Sequence, residues 1–212
     1  MDIIYRASDG IEFNDEDECK LYEKNLEKLN SYLVLGSSKY KLNEYYDAIS
    51  YFQKVIEIDN TIEKVYFIIG RCYTELGKYQ DAISYFQKAI ELDIQYIKAY
   101  QFIGDCYTAL GKYDDGIRYY QKAITLSEKD PILYENIGVC KYQLKEYDDA
   151  IKYFKREIEL DSQSIYAYQS IGNCCFQLEQ YQDAISFYKK AIEYDEKNKD
   201  IIDKSKQKTD KI

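Results

Sequence analysis

Residues 66–93 read YFIIGRCYTELGKYQDAISYFQKAIELD, and this stretch holds two helices and the turn between them. Tyr66, Ile69, Gly70 and Tyr73 recur at three- and four-residue spacing, the period of a helix with one apolar face. Leu76-Gly77 then supplies a C-terminal stop, because glycine enters the left-handed conformation that ends helices without a Cβ penalty. A second helix starts around Tyr79. Its Asp81 falls in the first turn, where a carboxylate meets the positive end of the helix dipole. An apolar stripe follows, Ala82, Ile83, Phe86, Ala89 and Ile90, and Asp93 closes the helix and can begin the turn into the next one.

Working outward, the same pattern returns every 34 residues, an offset diagnostic of stacked helical repeats. It divides the chain into 29–62, 63–96, 97–130, 131–164 and 165–198. Gly36, Gly70, Gly104, Gly138 and Gly172 hold one place in each copy, preceded at four residues by Tyr32, Tyr66, Tyr100, Tyr134 and Tyr168. Nine residues after each glycine stands Tyr45, Tyr79, Tyr113, Tyr147 or Tyr181, and two places later an aspartate. In the third copy Ser127 replaces the closing aspartate, and Asp130-Pro131 gives a cap followed by proline at the first helical position.

A glycine inside a helix costs about 0.5–1 kcal/mol against alanine, so five of them require an offset. The spacing points to a close crossing within each helix pair. The small residues Ala48, Ala82, Gly116, Ala150 and Ala184 are the expected counterparts, with Phe52, Phe86, Tyr120, Phe154 and Tyr188 filling the space around them.

These residues closely resemble the tetratricopeptide repeat: an aromatic, aliphatic-glycine, tyrosine, then alanine, aromatic, alanine at that family's spacing. The resemblance covers residues 29–198, and it implies an all-α fold, a right-handed superhelical solenoid of antiparallel helix pairs whose first helices line a concave groove for a peptide or a partner's helix. There are departures. Lys39 and Lys141 stand where the family has tyrosine, with Tyr40 and Tyr142 one step later, and Glu157 stands where the other copies have Val55, Ala89, Ala123 or Ala191. Burying that carboxylate unpaired is expensive, so it is expected to reach outward or to find a partner.

Outside the repeats, residues 1–28 read as a small hairpin, Ile3–Arg6 and Ile11–Phe13 around Asp9-Gly10, followed by a helix capped by Asn14 with an acidic first turn. This lead-in carries nine acids against four bases and is expected to cover the exposed end of the first repeat. Residues 199–212, with five lysines and three aspartates, are expected to open a sixth first helix and serve as a polar cap or tail.

Composition narrows the function. A formal charge of −9 opposes binding to phosphate backbones or anionic lipid, so no nucleic acid or membrane partner is expected. No run of 18 apolar residues and no basic-then-apolar start is present, which points to the cytoplasm. The chain contains no histidine, no glycine-rich phosphate loop and no nucleophile motif, so no enzymatic activity, metal or cofactor is expected. Cys72, Cys106, Cys140 and Cys174 lie 34 apart. Equivalent places in neighbouring repeats are separated by roughly 10 Å, beyond the ~7 Å reach of a disulfide, so they read as small core hydrophobes.

The family's geometry implies a groove built from first-helix residues: Leu33, Tyr40 and Lys41; Lys64, Phe67 and Arg71; Lys98, Gln101 and Asp105; Tyr142 and Gln143; Tyr166, Gln169, Asn173 and Phe176. The early repeats concentrate Lys41, Lys64, Arg71 and Lys98, whereas the late ones offer aromatics and amides. A protein or peptide ligand with an acidic end and an apolar or aromatic end fits both. The terminal-carboxylate clamp of chaperone-binding members is not matched in any register, its places being filled by residues such as Leu33, Ser37 and Ile68, or Gln101, Asp105 and Asn136. The leading expectation is therefore a scaffold or adaptor. Self-assembly through the groove or an end of the solenoid is a second reading, and RNA recognition by related helical repeats a third, opposed by the charge.

Overall fold

The computed structural model describes residues 4–209, with side chains for 4–196. Two short strands, β1 (Tyr5–Arg6) and β2 (Glu12–Phe13), precede ten helices: α1 (Glu16–Lys41), α2 (Tyr45–Ile58), α3 (Glu63–Glu75), α4 (Tyr79–Leu92), α5 (Ile97–Ala109), α6 (Tyr113–Leu126), α7 (Pro131–Gln143), α8 (Tyr147–Leu160), α9 (Ile165–Gln177) and α10 (Tyr181–Thr209). The all-α fold of antiparallel helix pairs behind a small hairpin is the one expected from the sequence. The chain divides inside α5, between Ala99 and Tyr100, into two compact units. In the first, α1 packs on α2, α2 on α3 and α3 on α4, with the hairpin against α1. In the second, α6 to α10 pack each on the next.

Local chemistry sets the boundaries. The repeating tyrosines open α2, α4, α6, α8 and α10. Asp59, Asp93 and Asp161 end three of them, and each then accepts a backbone N–H two residues on, from Thr61 at 2.8 Å, Gln95 at 2.9 Å and Gln163 at 3.1 Å. Asp130 does the same for Ile132 at 3.1 Å ahead of Pro131. Between the helices of every pair one residue takes the left-handed conformation: Gly77 and Gly111 in two pairs, but Asn43, Lys145 and Glu179 in the others. The bonds of the motif are conserved regardless, as in Lys78 N to Tyr73 O at 2.8 Å and Glu146 N to Lys141 O at 2.9 Å.

Four expectations need correcting. Asp15, not Asn14, caps α1, accepting from Glu18 N at 2.8 Å. The lead-in helix and the first repeat's first helix are one continuous α1. No break follows Asp195: α10 runs on to Thr209, because the Glu-Lys-Asn-Lys sequence after it suits a helix. The expected sixth first helix is therefore not separate; side chains from 197 onward, and residues 210–212, lie outside the described residues, as does Ile3 of the hairpin. The glycines also admit more than a small-residue face, although in the third repeat a Cβ on Gly116 would lie 3.2 Å from Gly104 O. A Cβ on Gly70 would lie 2.6 Å from the Phe86 ring, and one on Gly104 2.5 Å from Tyr120; Gly138 and Gly172 meet Phe154 and Tyr188 at 2.6 Å each. The missing Cβ makes room for an aromatic ring of the second helix.

Candidate functional site

Within the first unit, the basic residues Lys41, Lys64 and Lys98 are exposed and Arg71 is half-buried. The Arg71 guanidinium lies 5.2 Å from the Tyr40 ring centre, and Tyr40 packs edge-on to Tyr45 at 5.7 Å. Leu33 rests on the α2–α3 core cluster and, with Lys41, Val34, Ser37 and Ser38, borders a shallow concavity of about 420 Å³. Phe67 offers little surface to a ligand. It is 7% exposed, its ring held between Phe86 at 5.4 Å and Tyr96 at 5.0 Å, so it is a packing residue.

The second unit brings more of the candidates together. Tyr142, Gln143, Tyr166 and Asn173 surround a concavity of about 170 Å³ with Val139, Ser170 and Phe154. Phe154 is buried beneath, set edge-on to Tyr166 at 6.3 Å. Asn173 accepts the Tyr188 hydroxyl on Oδ1 at 2.7 Å, which fixes the carboxamide with its Nδ2 group left to donate. Gln169 and Phe176 are exposed nearby in sequence, Phe176 stacked edge-on to Tyr181 at 5.5 Å. On α5, half-buried Asp105 accepts from Tyr120 Oη at 2.7 Å and from Asn136 Nδ2 at 3.4 Å, while Gln101 is half-buried. Burial lifts the Asp105 carboxyl above its ordinary range, against the pull of the Tyr120 hydrogen bond.

One rule here was invisible to repeat-by-repeat reading. Where the second-helix aromatic is tyrosine, Tyr120 or Tyr188, the residue after the glycine is Asp105 or Asn173 and receives its hydroxyl. Where it is phenylalanine, that place holds Ser37, Arg71 or Val139. A buried hydroxyl needs an acceptor; the pairing of two columns of the repeat was the available signal. A larger concavity, about 570 Å³, lies between the second helices α2 and α4 of the first unit and Tyr66 of α3, lined by Gln53, Ile56, Glu57, Tyr66, Ser84, Tyr85 and Lys88. Nothing in a reading of first-helix faces could have found it.

Two departures also resolve. Lys39 and Lys141 form ion pairs with Glu44 and Glu146 in the turn that follows, where the second and third repeats pair tyrosine with Lys78 and Lys112. Glu157 does not reach outward. It is 2% exposed and accepts from Ser164 Oγ at 2.5 Å, while its Oε2 has no hydrogen-bond partner among the described residues. Burial, opposed by the Ser164 hydroxyl and reinforced by Glu135 and Asp161, pushes its carboxyl up to about 7. All six cysteines are buried thiols. Burial raises those of Cys72 and Cys174 to about 12, so neither is a thiolate at neutral pH. Among the described residues no cluster of three potential metal ligands occurs, and no helix is long and apolar enough to cross a membrane.

Helix pairs in tandem, with glycine-on-ring crossings and polar and aromatic first-helix faces, define a helical-repeat protein of the binding kind. The chain belongs to the tetratricopeptide repeat family, whose model matches over 62–129, 95–163 and 130–197. A second model, anaphase-promoting complex, cyclosome, subunit 3, matches residues 19–89. Solved structures agree. A crystal structure of MamA is similar at a TM-score of 0.76 and 27% identity, over 82% of this chain and 95% of that one. YrrB, described as a TPR protein with an unusual peptide-binding site, matches at 0.68 and 23%, over 82% and 90%. PilF of Pseudomonas aeruginosa matches at 0.66 and 17%, over 81% and 78%. No curated protein matches the sequence. Proteins of this family mediate protein–protein interactions, and the fold is in general a non-catalytic scaffold.

Proposed function

We propose that this chain is an adaptor that binds an extended peptide or a partner's helix on its first-helix faces, with residues 1–28 as a lead-in, 29–198 as five repeats and 199–212 as a polar tail. The observation that carries the reading is the α7–α9 concavity. Tyr142, Tyr166 and Val139 offer apolar and aromatic surface, and Gln143 and the fixed Asn173 amide offer hydrogen bonds to a backbone. Apolar and aromatic surface beside a few placed polar groups is a lining that ligand sites use. YrrB, with its peptide-binding site, supports the same use of the fold. The exposed cations Lys41, Lys64 and Lys98 of the first unit suit an acidic residue in the partner. Six buried thiols suit the reducing conditions of the cytoplasm.

The test is selection of binders from a random-peptide library on the full chain, followed by affinity measurement. Asn173→Ala removes one hydrogen bond to the backbone, about 0.5–1.5 kcal/mol, and weakens selected peptides severalfold; Tyr166→Ala weakens them further. Peptides that bind both variants as tightly as the parent place the site elsewhere.

A further inference from the structure

At the interior junctions, the second helix of one repeat meets the first helix of the next. Ile49, Phe52 and Val55 of α2 form one buried cluster with Val65, Ile69 and Cys72 of α3, and Phe154 of α8 does so with Ala167, Ile171 and Cys174 of α9. The isoleucine before each glycine is the centre of this contact: Ile69, Ile103, Ile137 and Ile171 are all 0% exposed. In the first repeat its equivalent, Leu35, is 39% exposed, and Val34 on the same helix and Leu42 at its C-cap are 69% and 62% exposed. The lead-in does not cover this face: the hairpin lies against the start of α1, with Phe13 on Tyr22. At the other end, Ile185 of α10 is 48% exposed, whereas its equivalents Ile49, Ile83 and Ile117 are at most 6% exposed and Ile151 is half-buried. Ile192, seven residues on, is 56% exposed. Among the described residues, no second helix packs on this face of α1 and no first helix on this face of α10.

The two bare helices are also matched in length and charge. First helices of the repeats span 13 residues and α1 spans 26, the excess lying at its N-terminal end. Second helices span 14 and α10 spans 29, the excess lying at its C-terminal end. Consecutive helices of a junction run antiparallel, so both extensions fall on the same side of such a contact, each roughly 20 Å long at 1.5 Å per residue. Residues 16–28 carry five acids against three lysines, and residues 196–209 five lysines against three acids. Ser31 and Ser38, at the places of Val65 and Cys72, keep the α1 face small enough for a helix to approach.

We infer that a second copy of this chain is the occupant: α10 of one molecule lies antiparallel along α1 of the next, reproducing the internal α8–α9 junction between molecules. The contact joins two different surfaces, so it is head-to-tail and leaves a pair of copies with one unused face at each end for further copies. Opposite charge on the extensions makes it weaker as salt screens them. It uses neither concave face and stands apart from the peptide-binding reading.

The test uses sedimentation velocity on the full chain with Leu35→Lys, Ile185→Lys and an equimolar mixture of the two. Both positions are exposed already, and circular dichroism verifies that the helices persist. The parent is expected to pass from one chain to two and beyond as concentration rises, and each variant to stay at the mass of one chain. The mixture is expected to stop at two chains, since one variant keeps its α10 face and the other its α1 face. A parent that stays at one chain throughout, variants that associate like the parent, or a mixture that stays at one chain overturns the inference.

Discussion

The hydroxyl of Tyr120 donates to the carboxylate of Asp105 at 2.7 Å, and the same hydroxyl lies 3.3 Å from Thr108 Oγ1. Removing it leaves the half-buried carboxylate with the longer bond from Asn136 Nδ2, at 3.4 Å. Tyr120→Phe is expected to destabilise by about 1.5–3 kcal/mol, the range for hydrogen bonds to charged groups. The fourth repeat shows the remedy, phenylalanine at Phe154 with Val139 after the glycine. The double variant Tyr120→Phe/Asp105→Val should therefore recover much of the loss, a coupling that urea unfolding of the two singles and the double reads directly. Strict additivity would remove the claimed linkage.

Glu157 gives the protein a pH dependence of known sign. Its folded-state carboxyl titrates at about 7, against an ordinary 4.5, so the neutral form is favoured by folding. That contribution is fully present below about pH 4.5 and is lost as pH rises through about 7, by roughly 3 kcal/mol at 1.36 kcal/mol per unit. Glu157→Gln should flatten the stability profile between pH 5 and 8 and raise stability at the alkaline end. A profile identical to the parent's would show that the carboxylate is ionised and satisfied.

Gly70→Ala adds a methyl 2.6 Å from the Phe86 ring. Overpacking of this kind costs about 1–3 kcal/mol, against a helix-propensity gain of about 1 kcal/mol. Net destabilisation is expected, seen as a lower thermal midpoint. Phe86→Leu in the same chain should relieve part of it.

Lys145 and Glu179 hold φ near +63° and +61°, where the second and third repeats use Gly77 and Gly111. A side chain in the left-handed region costs roughly 1 kcal/mol, so Lys145→Gly and Glu179→Gly should each stabilise by several tenths of a kcal/mol in chemical unfolding, although glycine normally destabilises. Gly77→Ala should do the reverse.

Periodicity alone determined the helix pairs. Tyrosine at the start of the second helix, aspartate at its end and glycine inside the first are local signals, each acting within a turn or two of the backbone. Family membership follows from them, and so does the set of residues that line first-helix faces. What touches each side chain depends on the neighbouring helix, about 10 Å away and up to 34 residues distant in sequence. Hence the glycines face aromatic rings rather than alanines, Phe67 turns into the core, and Glu157 is buried with one oxygen unpaired. Hence too Tyr142 meets Tyr166 and Asn173, from the next repeat, around one hollow. The exposed faces of Leu35 and Ile185 belong to this second kind of fact: both are aliphatic like their interior equivalents, and only their exposure distinguishes them.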